Sequence, residues 1–564
     1  MPQDAFTLRY LCEELNTIFK GGKINRITQP TNDELVFTIY TGKGTEKLLL
    51  DVNPSSPRMG IIQKEKDSPL TAPNFCMLMR KHLLSATVDS IELVGFDRIV
   101  KIECTSCAEF FDAQKKVIYV ELMGRYSNII LTQNGKILGG NRGVNMFDNG
   151  VRPLIVGLDY VYPPSNDKLL PKDEKLVEYF NGFNGEDLAQ YICKGVQGIA
   201  TSTANEIVNQ YLEKTGNLRC ENFGQKFTEF LVKFLYNATK KACVVTEGDF
   251  VKDVCVFDYK TTGGNKIFFN SLHEAEEYYF CKRDSVKKFT TKRDRLTSVC
   301  STAIKKVKKR LTAINAKKKD ASNAEENRVK GELLLANIYR IDNGVDQVEL
   351  ENYYDGTTIK ISLDSRLSAS KNAENYYKKY NKQKRTLQAL EPQRESAENE
   401  LNYLQSILEE IALCEDIEEL NSVQFELESL GLIKVQKQSS KNKKPTEISF
   451  KRYDIDGFTV RVGRNNLEND KVTFTAKPND IWLHAKDYHS THVVIETNGK
   501  SVPENVILKC AQICAYYSKG REGGKTEVVY TPKKNVKKPS GAKPGFCVYE
   551  NYKSVVVQPQ KHIK

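Results

Sequence analysis

From residue 6 to about 162 the chain carries short alternating apolar runs, such as Leu35-Val-Phe-Thr-Ile and Leu48-Leu-Leu-Asp-Val, after a segment at 7–19 with helical spacing. A period of two marks strands with one face buried, and a period near 3.6 marks an amphipathic helix, so an α+β domain is expected here. Gln133-Asn134-Gly135-Lys136, between Ile129-Ile-Leu and Ile137-Leu, predicts a hairpin, because Asn-Gly accepts the positive φ of a tight turn. From 167 to 284 the pattern becomes mostly helical. Within it, Val196-Gln-Gly-Ile-Ala-Thr-Ser-Thr-Ala-Asn-Glu sets a glycine turn between two short helices, as in a helix-hairpin-helix that offers backbone N–H groups to a phosphate.

The middle third follows a heptad. Cys300, Ile304, Val307, Leu311 and Ile314 recur at alternating spacings of four and three, as do Leu387, Leu390, Arg394, Ala397, Leu401, Leu404, Leu408 and Ile411. Between the two runs, Val348-Glu-Leu-Glu-Asn-Tyr-Tyr-Asp355-Gly356-Thr-Thr-Ile-Lys-Ile reads as a β-like tip with a tight Asp-Gly turn. A turn between heptad arms doubles the chain back, which predicts an intramolecular antiparallel coiled coil rather than a parallel dimer. Pro392 is expected to kink the second arm or restart it.

Charge sharpens this outline. The 564 residues carry a net charge of +12 although 28% of them are charged, so any excess that grips a polyanion must be local. One concentration is Lys305, Lys306, Lys308, Lys309, Arg310, Lys317, Lys318 and Lys319 on the first arm. A second is the linker at 434–452, with Lys437, Lys441, Lys443 and Lys444 against Glu447. A third, Thr531-Pro-Lys-Lys-Asn-Val-Lys-Lys-Pro-Ser-Gly-Ala-Lys-Pro-Gly, holds five lysines and no acid; its prolines and glycines favour an extended loop along a phosphate backbone.

Most of the fourteen cysteines sit singly in apolar stretches and read as reduced core thiols. Cys104 and Cys107 form one CxxC with no second pair at zinc-ribbon spacing, so no metal is expected. Three of six histidines, His484, His489 and His492, cluster beside the single Trp482. With no cysteine nearby, RNA contact or structure fits them better than a metal. Lys519-Gly520-Arg-Glu-Gly-Gly524-Lys525-Thr526 is not a P-loop: three residues, not four, follow its first glycine, and a helix precedes it while a strand follows. No apolar run is long enough to span a membrane, and the start lacks signal-peptide character, so a cytoplasmic protein is expected.

Six motifs resemble the NFACT family across essentially the whole chain. They are Pro73-x-x-Cys-Met-Leu-Met-Arg80-Lys-His82-Leu, Gly95-Phe-Asp97-Arg98-Ile-Val, Glu121-Leu-Met-Gly124-Arg125-Tyr-Ser-Asn128, Tyr354-Asp-Gly, Gly463-Arg464-Asn465-Asn466-x-x-Asn469-Asp470 and Asp480-Ile-Trp482-Leu-His484-Ala-Lys486. The resemblance implies a multidomain α+β protein: an N-terminal α+β domain (1–166), a helix-hairpin-helix-like helical domain (167–284), an antiparallel coiled coil with its tip at 341–371 (285–434), and a basic linker with a small α+β RNA-binding domain (435–564). The chain departs from the family at His489-Ser490-Thr491, where Pro-Gly-Ser is usual, and at Asp4-Ala5, where Asp-Gly is usual.

What the resemblance implies for function is a non-catalytic factor of ribosome quality control. Bacterial members bind an obstructed large ribosomal subunit with peptidyl-tRNA and recruit alanyl-tRNA, so that the ribosome adds an untemplated C-terminal alanine tail. Carried over residue by residue, tRNA contact falls to Asp97, Arg98, Glu121 and Arg125. RNA contact in the C-terminal domain falls to Arg464, Asn465, Asn466, Trp482, His484, Lys486 and His492, with Lys533, Lys534, Lys537, Lys538 and Lys543 of the lysine loop. No cofactor or metal is implied; the chain would act as a monomer on the ribosome, with a small S4-domain, Hsp15-like RNA-binding protein as a further partner. Two other classes are compatible with parts of the chain. One is a surface fibronectin-binding adhesin. The other is a DNA-glycosylase-like enzyme, which needs a catalytic Pro or Glu after Met1; Pro2 is present, but Gln3 supplies no acid.

Overall fold

The computed structural model describes residues 3–106, 114–143, 152–164, 167–217, 221–237, 241–248, 250–434 and 450–561. They form two compact units, Met1–Val286 and Lys287–Lys564. Pro2, Cys107 and the basic linker around Lys437, all singled out in the sequence, lie outside the described residues.

In the first unit, helix Ala5–Phe19 buries Phe6, Leu8, Leu11, Leu15 and Phe19. It begins where Asp4 Oδ1 accepts from the Thr7 amide at 2.8 Å, satisfying one of the four N–H groups a helix start leaves unpaired. The helix packs on a nine-stranded antiparallel sheet, in the order Arg58–Ile61, Thr45–Asp51, Glu34–Tyr40, Lys23–Thr31, Thr87–Leu93, Ile99–Ser106, Gln114–Glu121, Asn128–Gln133 and Lys136–Gly140. The expected hairpin closes with Asn134 at φ +50° and Gly135 at φ +77°.

Helices Lys175–Asn181, Leu188–Gly195, Thr201–Thr215 and Phe223–Asn237 follow, locked by rings such as Phe180, Tyr211 and Phe227. The expectation of a mostly helical 167–284 needs one correction. Cys243–Glu247 pairs with both Phe250–Cys255 and Asn265–Phe268 in a three-stranded antiparallel sheet, because its run of buried β-branched residues is too short for a helix. One hydrophobic cluster runs from Ala5 to Phe280, so the sheet and the helices share a core.

In the second unit the heptad arms pair as expected. Cys300, Ile304, Val307 and Ile314 pack with Leu390, Ala397, Leu404 and Ile411, and Arg310 pairs with Glu400 and Lys318 with Glu391. The ladder runs antiparallel. Helix Ala369–Leu413 passes through Pro392 without a break, so of the kink or restart expected there the restart does not occur; Gln388, whose carbonyl loses its usual donor, is exposed and can be hydrated. At the far end, Gln347–Glu351 and Thr358–Ser362 pair over a small separate core of Leu333, Leu334, Leu350, Ile361 and Ala373. The tip loop is wider than the expected two residues: the Asn352 amide donates to Thr357 O at 2.7 Å, leaving four residues between them.

The C-terminal domain is a six-stranded antiparallel sheet, in the order Lys451–Ile455, Phe458–Val462, Val493–Ile495, Ile481–Ala485, Thr526–Pro532 and Lys553–Val557. Helix Glu504–Tyr516 covers one face through Val506, Cys510, Ile513 and Cys514. The other holds a smaller core of Val472, Trp482, Val494, Val529 and Val536. Among the described residues no helix is long and apolar enough to cross a membrane.

Candidate nucleic-acid interface

Asp97 and Arg98 occupy the turn between strands Thr87–Leu93 and Ile99–Ser106, with Gly95 at φ +61° and Phe96 buried beneath. The bend matters. On a straight strand adjacent side chains diverge, whereas here both line one cavity of about 220 Å³ together with Asp4, Lys168, Gln197, Gly198, Ile199 and Ala200. Asp97 Oδ1 accepts from the Arg98 amide at 2.7 Å, and Oδ2 accepts from Gln197 Nε2 at 3.1 Å.

The glycine turn of the helix-hairpin-helix forms the other side. Gly198 has φ +78°, and a Cβ there would lie 2.3 Å from the Phe96 carbonyl oxygen and 2.5 Å from Ala5 Cβ, so only glycine permits this approach. Of the motif's amides expected to face a phosphate, one already meets an anion of the chain itself. Asp4 Oδ2 accepts from the Ala200 amide at 3.0 Å and from the Thr203 hydroxyl at 2.8 Å, so the chain's own carboxylate fills that helix start. Sequence reasoning passed over Asp4 as a site residue, although an Asp ahead of an amphipathic helix is an N-cap signature.

The two other residues assigned to tRNA differ. Arg125 is exposed, its guanidinium 4.7 Å from the Tyr126 ring centroid. Glu121 is buried, and both its oxygens are engaged by Arg152 at 2.5 and 3.1 Å and by the Tyr160 hydroxyl at 2.8 Å. It clamps the segment after residue 152 to the sheet and has no surface to offer RNA.

In the C-terminal domain most motif residues build the scaffold. Trp482 is fully buried and donates from Nε1 to Thr473 Oγ1 at 3.2 Å, which excludes it as a stacking platform in this fold. His492 is buried, with Nδ1 2.8 Å from the same hydroxyl, and His484 stacks on Trp482 at 5.6 Å. Asn465 caps helix Asn466–Phe474, and Arg464 forks onto Glu468 at 2.8 and 2.9 Å. Asn466 is buried against the root of the coiled coil, donating to Ser406 Oγ at 3.2 Å and Glu426 Oε1 at 3.1 Å. At Ser490, where this chain departs from the family, the hydroxyl accepts from the Ala485 amide at 3.0 Å and so shapes its own loop.

A cavity of about 60 Å³ lies at that root, between Glu410 on the arm and His484, His489 and His492 on the domain. Burial, followed by the His489 ring, pushes His484 down to about 4. Burial and then Glu426 hold the Glu410 carboxyl well above the usual range. Among the described residues no group of three or more His, Cys, Asp and Glu could hold a metal ion.

The lysine loop stays at the surface but is more structured than an extended loop. Lys533–Asn535 forms a short turn, Val536–Lys537 pairs with Val548–Tyr549, and Asp470 binds both the Gly545 amide and the Lys538 ammonium. Lys534, Lys537, Lys538 and Lys543 are exposed, and Lys486 pairs with Glu527 at 3.1 Å. Phe546, 57% exposed, and Tyr552, 46% exposed, add aromatic faces beside these lysines. The sequence hid them because exposure cannot be read from composition.

Residues 4–446 match the family model for the NFACT N-terminal and middle domains, and 448–548 match that for the NFACT protein RNA binding domain. The chain is 32% identical to the Rqc2 homolog RqcH of Bacillus subtilis (strain 168) over 97% of this chain and 96% of that protein. It is 32% identical to the Rqc2 homolog RqcH of Streptococcus pneumoniae (strain D39) over 99% and 98%. Among solved structures, the N-terminal part of the fibronectin/fibrinogen-binding protein from Streptococcus suis aligns at 27% identity over 49% of this chain and 98% of that one, with a TM-score of 0.43.

Proposed function

The chain belongs to the NFACT family, and on that premise we propose that it captures tRNA on an obstructed large ribosomal subunit. RNA binding and a role in ribosome quality control follow from the family and from near full-length likeness to its RqcH members. The finer reading is that alanyl-tRNA is recruited beside peptidyl-tRNA and the stalled chain gains an untemplated alanine tail. Peptide-bond formation belongs to ribosomal RNA, and the protein contributes grip and placement. A small S4-domain, Hsp15-like protein is the expected companion.

The observation that carries this reading is the Asp97–Arg98 turn, which brings an acceptor and a forked cation to one cavity. Arginine can fork onto phosphate or a base edge, and aspartate can accept from a base amine. Losing such an arginine contact costs about 1–3 kcal/mol, enough to lower tRNA occupancy roughly tenfold or more. The test replaces both residues, Asp97→Ala with Arg98→Ala, and counts both RNAs in a pull-down. tRNA should drop out and alanine tails should vanish while large-subunit RNA persists. Loss of both RNAs together, or an unfolded variant by circular dichroism, would make the pair structural.

A further inference from the structure

We propose that Gln197, on the glycine turn of the helix-hairpin-helix, is a positioning residue for tRNA capture, fixing the Asp97 carboxylate in the attitude that receives the RNA. This rests on reading the Asp97–Arg98 turn as the tRNA site.

The turn's helix start is already partly occupied. Asp4 already engages the Ala200 amide, so a phosphate arriving at the start of helix Thr201–Thr215 would meet a carboxylate. What the turn still offers is rigidity and one amide side chain. Its backbone is tied on both sides: the Gln197 amide donates to Leu169 O at 2.9 Å, and Gly198 O accepts from the Ala5 amide at 3.0 Å. The side chain then reaches Asp97 Oδ2 at 3.1 Å, across a chain separation of 100 residues.

With Oδ1 held by the Arg98 amide, Asp97 has a donor on each oxygen and its carboxylate plane is set. The choice of donor matters as much as its presence. An arginine or lysine in this place would neutralise the aspartate, whereas a glutamine amide orients it and leaves its charge for an incoming base amine. Lys168, whose ammonium donates to Cys193 O at 2.7 Å, supplies positive charge on the cavity wall.

The test is Gln197→Glu, with tRNA and large-subunit RNA recovered by the full chain at about pH 8 and about pH 6, each normalised to wild type. Two carboxylates facing each other repel when both are ionised, but share a proton at lower pH and restore the hydrogen bond. tRNA recovery should therefore fall by roughly tenfold at the higher pH and return to within about threefold of wild type at the lower, as expected for a shared-proton pair. Large-subunit RNA should stay level at both. A residue that merely staples the fold would show a lowered melting temperature at the higher pH, with large-subunit RNA lost alongside tRNA.

Equal loss at both pH values, or no loss at either, overturns the proposal. If Gln197→Glu does not fold, Gln197→Asn, one methylene short, takes its place. tRNA lost with unchanged melting temperature and large-subunit recovery supports positioning, and unchanged tRNA overturns it. Asp97→Ala runs alongside as a separate arm: if that variant keeps its tRNA, the reading of the site fails, whatever Gln197 does.

Discussion

The carboxylate of Asp4 joins two helices almost 200 residues apart, one oxygen accepting from the Thr7 amide at 2.8 Å and the other from the Thr203 hydroxyl at 2.8 Å. Removing it takes away an N-cap, worth about 1 kcal/mol, and leaves the buried Thr203 hydroxyl without that acceptor, at about 1–2 kcal/mol more. Asp4→Ala should lower the stability of the first unit by about 2–3 kcal/mol, read from denaturant melts of the full chain. Asp4→Asn, which can still accept at one atom, should lose less. Equal stability of Asp4→Ala and wild type would show that the bridge carries no net energy.

Acid and base should act on the coiled-coil root in opposite senses. His484 binds a proton less readily folded, at about 4, than its ordinary value of 6.5, so the stability it lends is present above 6.5 and lost as pH falls through 4. His492, pushed well below its ordinary value by burial and then by His484, acts in the same sense. Glu410 is raised, so its share is complete below 4.5 and is lost as pH rises through its folded value. Three neighbouring carboxylates are matched, Glu409 with Lys519, Glu419 with Lys451 and Glu468 with Arg464, while Glu426 accepts from Tyr403 and Asn466 and is raised by burial beside Glu410. Glu410→Gln should therefore flatten the alkaline side of a plot of melting temperature against pH. His484→Phe should flatten the acid side, where the imidazole accounts for about 3 kcal/mol. Curves that coincide with wild type at every pH would remove both groups from the account.

Salt should reveal which lysines touch phosphate. Each released phosphate contact flattens the log–log dependence of RNA binding on salt by about 0.7–0.9. Lys534→Ala, Lys537→Ala and Lys543→Ala together should lower that slope by about two units. Lys538, already paired with Asp470, should count for less, its loss loosening the loop instead. An unchanged slope would leave the loop a solvated surface.

The arm can be shortened where its own ion pair marks the splice. Deleting 300–411 would also remove Ser406 and Glu410, arm residues that meet the C-terminal domain, and so confuse two effects. Lys318 and Glu391 lie 2.9 Å apart across the arms, so joining the chain there through a short glycine linker keeps the root intact. The shortened protein should melt as two folded units yet fail to cosediment with large subunits. Undiminished cosedimentation would show that the far end makes no ribosomal contact.

The heptad arms were legible in the sequence because a period of seven is a local property that packing cannot reassign. Their fine points were less so: Pro392 reads as a breaker until its neighbours are known to face water. Trp482 and His484 were expected at an RNA contact for a related reason. Alternation puts them on one face of a strand, but it does not say that this face is covered, here by Val472 and Val536. Glu121 looked available because its partner Arg152 lies 31 residues on, and ion pairs across such distances leave no mark in spacing. The Asp97–Arg98 turn was visible as a motif, while its dependence on Gln197 was hidden in a contact 100 residues away.

The single core from Ala5 to Phe280 also sets a timetable for this protein's own birth. Helix Ala5–Phe19 leaves the ribosome well before some of the residues that close over it, Thr203, Phe234 and Phe257. At about 5–20 residues per second, the opening segment waits roughly ten seconds or more for those partners. Through that interval Phe6 lacks the rings of Phe234 and Phe257 while the chain is still being made, so a factor of ribosome quality control begins life as a nascent chain with part of its core unfinished.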